Sequence, residues 1–207
     1  MTDATASRRD LDLFPLRAVL FPDGLLGLKV FEARYLDLIG ACLREQRPFG
    51  VVGLRQGGEV RQGNEAVVLE DVGTLAEILQ VDGDQPGILQ LRCRGGQRFR
   101  IERRWQEASG LWRASVELLP ADAALAPPAS QQACAVSLSQ AIGNLHNQGA
   151  HPCMKPYRFD DAGWVANRWC ELLPLSQQAR QRLMELDDPL VRLNLVDEFL
   201  RSKGVIG

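Results

Sequence analysis

The sequence predicts an α+β protein, with a β-rich N-terminal half over residues 1–119, followed by a linker and a C-terminal helical bundle over residues 120–207. Three observations carry this prediction. Between Leu11 and Leu119, short apolar or alternating runs are separated by Gly-bearing turns, the pattern of a barrel or sandwich. At Pro120–Ser130, "PADAALAPPAS" shifts to proline and alanine, a composition that reads as a linker. Beyond it the apolar period becomes helical, as amphipathic helices require.

The elements follow in order. "LDLF" from Leu11 alternates, "FGVVGL" at Phe49–Leu54 is a short apolar run, and "GTLAEILQV" leads into the turn signal "DGDQPG". "WRASVELL" places Trp112, Ala114, Val116 and Leu118 on one face of a strand, because side chains alternate with period two. One helix interrupts these strands. Across "FEARYLDLIGACLREQ", Phe31, Tyr35, Leu38, Ile39, Cys42 and Leu43 recur at helical spacing, opposite Arg34, Asp37, Arg44 and Glu45, and Pro48 helps to end it. In the second half, Cys134, Leu138, Ile142 and Leu145 form one helical stripe; Val165, Trp169 and Leu172 form a second; Ala179, Leu183 and Leu186 form a third. The last helix has Asp188 as N-cap, Pro189 in its first turn, Leu193, Val196 and Leu200 on its apolar face, and Gly204 beyond its end, each at its preferred place. Asn147–Gly163 reads as a long loop between helices, or a partly helical one.

Composition narrows the class. Hydrophobic residues at 45% and charged residues at 24% of 207 positions are globular values that need no disulfide or metal for a core. A net charge of -2 and a pI near 5.8 give no global field for non-specific nucleic-acid binding. The cysteines Cys42, Cys93, Cys134, Cys153 and Cys170 are odd in number and irregular in spacing, which suits reduced thiols in a cytoplasm better than a disulfide framework. "MTDATASRRD" has no apolar signal-peptide run, and no segment holds about eighteen uninterrupted apolar residues, so neither export by that route nor a membrane span is expected.

The motifs of several enzyme classes are missing. "RQGGEVRQGN" contains glycines without the following Gly-Lys-Ser/Thr of a phosphate loop, and no Gly-x-Ser-x-Gly occurs, which argues against a P-loop ATPase and a nucleophile-elbow hydrolase. His151 and Cys153 stand two residues apart, too close in sequence for an ordinary nucleophile and base. His146, His151 and Cys153 fall short of a zinc pattern. The pairs Asp160/Asp161 and Asp187/Asp188 read as caps and helix-dipole partners, and Trp164 and Trp169 as core. No cofactor, metal or catalytic residue is expected. The charge constellation that stands out is "LRCRGGQRFRIERR". A hairpin loop at Gly95–Gln97 would set Arg94 opposite Arg98 and Arg92 opposite Arg100, a ladder of like charge. Either acids such as Glu77 compensate it or water solvates it, or it binds an acidic peptide or phosphate.

"LFPLRAVLFPDGLLGLKVFEARYLDLI", followed in order by "RPFGVVGL", "VGTLAEIL" and "GGQRFRI", resembles the N-terminal substrate-binding domain of Lon proteases. The later "NRWCELLPLS", "RQRLMEL" and "VRLNLVDEFL" are similar to its helical part. The resemblance runs from about Leu11 to Leu200. It implies a PUA-like β pseudo-barrel followed by a helical bundle, in a stand-alone protein without the ATPase and Ser-Lys protease domains of full-length Lon. The motif then reads as architecture, with Phe31, Tyr35 and Leu38 clamping the helix to the barrel and Glu32 and Arg34 fixing its start. The family usually has proline where this chain has Gly27 and Ala33, which loosens the strand-to-helix corner.

The resemblance implies a non-enzymatic module that binds proteins or unfolded polypeptide segments through apolar surface near the barrel–bundle junction. A second possibility is RNA binding through the arginine-rich segment, since PUA-like folds include RNA binders; the acidic pI and the lack of an RNP motif speak against it. A third is a small-molecule enzyme whose pocket joins His151, Cys153 and a buried acid.

Overall fold

The computed structural model describes residues 8–59 and 66–207. Residues 1–7, part of the N-terminus read above, and residues 60–65, which include the last five positions of "RQGGEVRQGN", lie outside the described residues. The chain divides into two compact units, Met1–Pro120 and Ala121–Gly207.

Among its described residues, the first unit holds six strands and one helix: β1 Arg8–Leu16, β2 Leu25–Val30, α1 Ala33–Glu45, β3 Phe49–Gln56, β4 Val68–Gln85, β5 Ile88–Gln106 and β6 Trp112–Leu118. The strand order is β2-β5-β4-β3-β1-β6, and β6 also pairs with β5. Five strands therefore close on themselves, with β2 attached beside the N-terminal half of β5. The β1–β3 pair is parallel and the others are antiparallel.

Leu11–Leu16 are all buried because β1 runs between two cores. Leu11 and Leu13 pack with Val52, Phe99 and Val116, whereas Phe14 and Leu16 pack with Tyr35, Leu38 and Ile39 of α1. A strand covered on both faces loses the alternation of a half-exposed one. Asp12, on the same strand, is held by Arg47 Nη2 at 2.8 Å and Arg113 Nε at 2.9 Å.

Helix α1 begins later than its apolar period suggests. Glu32 is its N-cap, and the Glu32 carbonyl accepts from Tyr35 N and Leu36 N. Tyr35 and Leu38 are buried against the barrel, but Phe31 is 52% exposed. Its assignment to the clamp is thus corrected: Phe31 belongs to the strand-to-helix corner, where helical spacing no longer decides which way a side chain points. Leu43 is likewise exposed. The helix stops at Gln46, whose φ of 51° is the left-handed cap conformation.

The hairpin expected at Gly95–Gln97 does not form, because β5 continues through it. Gly95 N donates to Gly24 O at 2.9 Å, and Gly95 O accepts from Asp23 N at 2.7 Å. A Cβ on Gly95 would lie 2.0 Å from Phe21 O. The glycine thus admits the turn between β1 and β2 against the strand, rather than reversing the chain. The true reversal is Pro86–Gly87, with Gln85 paired to Ile88 and Gly87 at φ +77°, as a type II turn demands.

The second unit contains α2 Gln132–Asn147, α3 Ala162–Leu172, α4 Gln177–Glu185 and α5 Pro189–Ser202, after a short 3₁₀ turn at Ala129–Gln131. Cys134, Leu138 and Ile142 of α2 are buried, as are Trp164, Val165 and Trp169 of α3. The Trp169 indole donates to Cys134 O at 2.9 Å. In α4 the buried side chains are Gln181 and Met184, rather than the stripe of Ala179 and Leu183. Asp188 caps α5 by accepting from Leu190 N at 2.8 Å. The proline- and alanine-rich segment is tied into this unit: Asp122 meets Arg192 at 2.5 Å, and Leu125 O accepts from Ala162 N at 2.7 Å.

Candidate functional site

The stretch that links β1, β2 and α1 forms a groove of about 350 Å³. Its floor comes from Phe14 and Leu16 at the end of β1, from Leu26, Leu28 and Val30 of β2, and from Tyr35 of α1. Phe31 stands at its border. All of its lining residues belong to the first unit. Local sequence explains the shape. The period-two run Leu26, Leu28, Val30 turns three aliphatic side chains inward, and the corner at Phe31–Glu32 then sends the chain into α1.

The walls are ordered by aromatic and charged contacts. Phe14 and Tyr35 stack with centroids 4.1 Å apart, and the Arg34 guanidinium lies 4.6 Å from the Tyr35 centroid. Arg34 also pairs with Glu32 at 2.9 Å and donates to Gly110 O at 2.8 Å, so these two residues do fix the start of α1. Burial, opposed by Arg34 and aided by Glu32, pushes the Tyr35 hydroxyl up to about 12, so it stays protonated at neutral pH. Glu59 accepts from the Arg17 main-chain N–H at 2.5 Å. Such a surface offers shape, apolar area and main-chain groups.

The four arginines of the expected ladder do not face one another. Arg92, Arg94, Arg98 and Arg100 lie along one strand, opposite Gln80, Glu77, Thr74 and Val72 of β4. Arg94 is neutralised by Glu77 at 2.9 Å, Arg98 is buried, and Arg92 and Arg100 are exposed. Compensation by Glu77 is therefore the structural outcome at Arg94, and the four residues do not make a continuous cationic surface.

His146 and His151 come together, with ring centroids 5.1 Å apart, and Tyr157 Oη lies 3.2 Å from His146 Nε2. No hydrogen bond joins His151 to Cys153. The Cys153 thiol is buried, and burial raises its pKa, the reverse of what activates a nucleophile. Among the described residues no group of three His, Cys, Asp or Glu is placed to hold a metal. No helix among them is long and apolar enough to cross a membrane. The groove went unread in the sequence because its floor joins residues from β1, β2 and α1. Its signal was the Leu26, Leu28, Val30 alternation followed at once by Phe31.

A closed five-stranded barrel with an added strand, an inserted helix and an apolar groove, in one chain with a helical unit, defines a recognition module. The chain belongs to the substrate-binding domain family of ATP-dependent protease La (LON), whose family model matches residues 10–202. Among solved structures it resembles a Lon N-terminal domain protein from Xanthomonas campestris, at 34% identity and a TM-score of 0.72, over 91% of this chain and 96% of that one. The N-terminal domain of the Mycobacterium avium complex Lon protease shares the fold, at 15% identity and a TM-score of 0.62, over 93% and 98% of the two chains. A comparison with curated proteins found no match.

Proposed function

We propose that this chain is a non-enzymatic, cytoplasmic module that binds unfolded segments of other proteins through the groove of its first unit. The observation that carries the reading is an apolar groove of about 350 Å³ bordered by a 52%-exposed phenylalanine, Phe31. Exposed aromatic side chains beside a concave apolar surface are characteristic of binding sites. Family membership supports substrate recognition. Five free, buried thiols fit a reducing compartment.

The test is fluorescence anisotropy of a labelled, permanently unfolded polypeptide titrated with the protein, beside its folded counterpart and a labelled RNA, at low and moderate salt. The expected result is a preference for the unfolded chain that survives added salt and weakens in Phe31→Ser. Absence of that preference, or binding only to RNA that vanishes with salt, overturns the reading.

A further inference from the structure

We propose that the open edge of β2 is the binding element of this groove. It takes an extended polypeptide segment of alternating apolar and acidic residues as an added strand. The proposal rests on the polypeptide-binding reading above and specifies how that site holds its ligand.

Three observations converge on this edge. β2 ends the strand order and has β5 as its neighbour. Among the described residues, the main chain of Leu25–Val30 makes no hydrogen bond beyond that pairing. Such an edge is a template for another strand. Next, the groove is lined by every residue from Leu26 to Glu32. Successive side chains of a strand point to opposite faces, so a cavity touching each residue in turn meets the strand along its edge. Gly27 lines it with main chain alone, and a Cβ there would meet nothing within 4 Å. At a rise of about 3.3 Å per residue, a six-residue strand offers an edge of about 20 Å, enough for a short segment.

The third observation gives the chemistry of that segment. On the core-facing side of β2, the half-buried Leu26 and the buried Leu28 and Val30 give the groove an aliphatic lining. On the other face, Lys29 is exposed, and Gly27 is paired with Arg92, which is exposed as well. Neither cation is in an ion pair among the described residues. The carboxylates nearby are engaged: Glu32 with Arg34, Glu59 with Arg17 N and Glu77 with Arg94. An added strand that sends alternate apolar side chains into the groove places the intervening ones beside Lys29 and Arg92, where acidic groups are complementary. A volume of about 350 Å³ is at the small end for ligand pockets and suits a few side chains.

The test uses the whole protein and a fluorescein-labelled peptide with a six-residue block of alternating Val and Glu. Two further peptides carry N-methyl groups on one or the other alternate set of that block, which removes main-chain donors and leaves the side chains intact. A strand presents alternate N–H groups to its neighbour, so one methylated peptide is expected to lose at least tenfold in affinity and the other less than twofold. A Val/Lys block and the Arg92→Glu variant are each expected to weaken binding severalfold. Equal affinity of both methylated peptides and the parent, or of the Val/Lys and Val/Glu blocks, overturns the proposal. If the Val/Glu peptide fails while the unfolded polypeptide still binds, the edge-strand inference falls and the proposed function stands. If neither binds, both fall.

Discussion

Arg192 is a buried side chain shared by several elements of the second unit. It is 1% exposed at its side chain and donates to Asp122, to Asn167 Oδ1 at 3.0 Å, and to the carbonyls of Leu183 at 2.8 Å and Leu186. One guanidinium thereby fastens the segment before α2, helix α3 and the α4–α5 connection to α5. Arg192→Ala removes the charge that faces Asp122, deprives two main-chain carbonyls of a donor and opens a cavity. Removing one partner of a buried pair costs about 3–5 kcal/mol. With a urea slope near the low end for small units, about 1 kcal/mol/M, the transition should move down by roughly 3–5 M. Arg192→Lys keeps the charge but not the planar fork, so it should lie between variant and parent. The assay is urea unfolding followed by circular dichroism and tryptophan fluorescence. Amide exchange in α3 and α5 assigns the transition to the second unit. A loss below about 1 kcal/mol, with protection of α5 unchanged, would show that water replaces the guanidinium and would refute this reasoning.

Other outcomes follow from the same structure. Gly73→Ala would set a Cβ 2.5 Å from both Val51 O and the Phe99 ring, and overpacking of this kind should cost about 1–3 kcal/mol in thermal or urea unfolding. Phe31→Ser, at an exposed site, should leave stability within about 0.5 kcal/mol while weakening unfolded-polypeptide binding in the anisotropy assay. The five buried thiols should resist a thiol reagent in the native protein at pH 8 and react once it is denatured; rapid native labelling would contradict their burial. Burial raises Cys42 to about 11, and Cys93, Cys134 and Cys170 to about 12, Cys134 with help from its bond to Asp197, against an ordinary 9.0. The unfolded thiols therefore lose their protons first. Stability should be constant below pH 9 on this account and fall above it, by about 1.4 kcal/mol per pH unit for each thiol. A urea midpoint that does not move between pH 9 and 10.5 would contradict this, and Cys93→Ala should make the fall shallower.

The sequence by itself determined what depends on local pattern and on an ordered series of motifs. The period of Val165 and Trp169, the Asp188-Pro189 cap and the Glu32–Arg34 contact are each written within a few residues, since caps and periodic faces act over one or two turns. The family motifs, spread from Leu11 to Leu200, carried the domain type. Tertiary structure decided what depends on which distant segments meet. "RCRGGQRFR" reads as a hairpin because Gly-Gly is good turn chemistry, but the turn at Phe21–Gly24 occupies both main-chain groups of Gly95 and holds the strand straight. Phe31 reads as core because it continues a helical spacing, but the helix begins two residues later and leaves it exposed. The groove needed both events. β2 becomes an open edge because β5, kept continuous by that docking, gives its C-terminal half to β6 and its N-terminal half to β2. Long-range pairing is fixed by the total burial of the barrel, which no window of neighbouring residues contains.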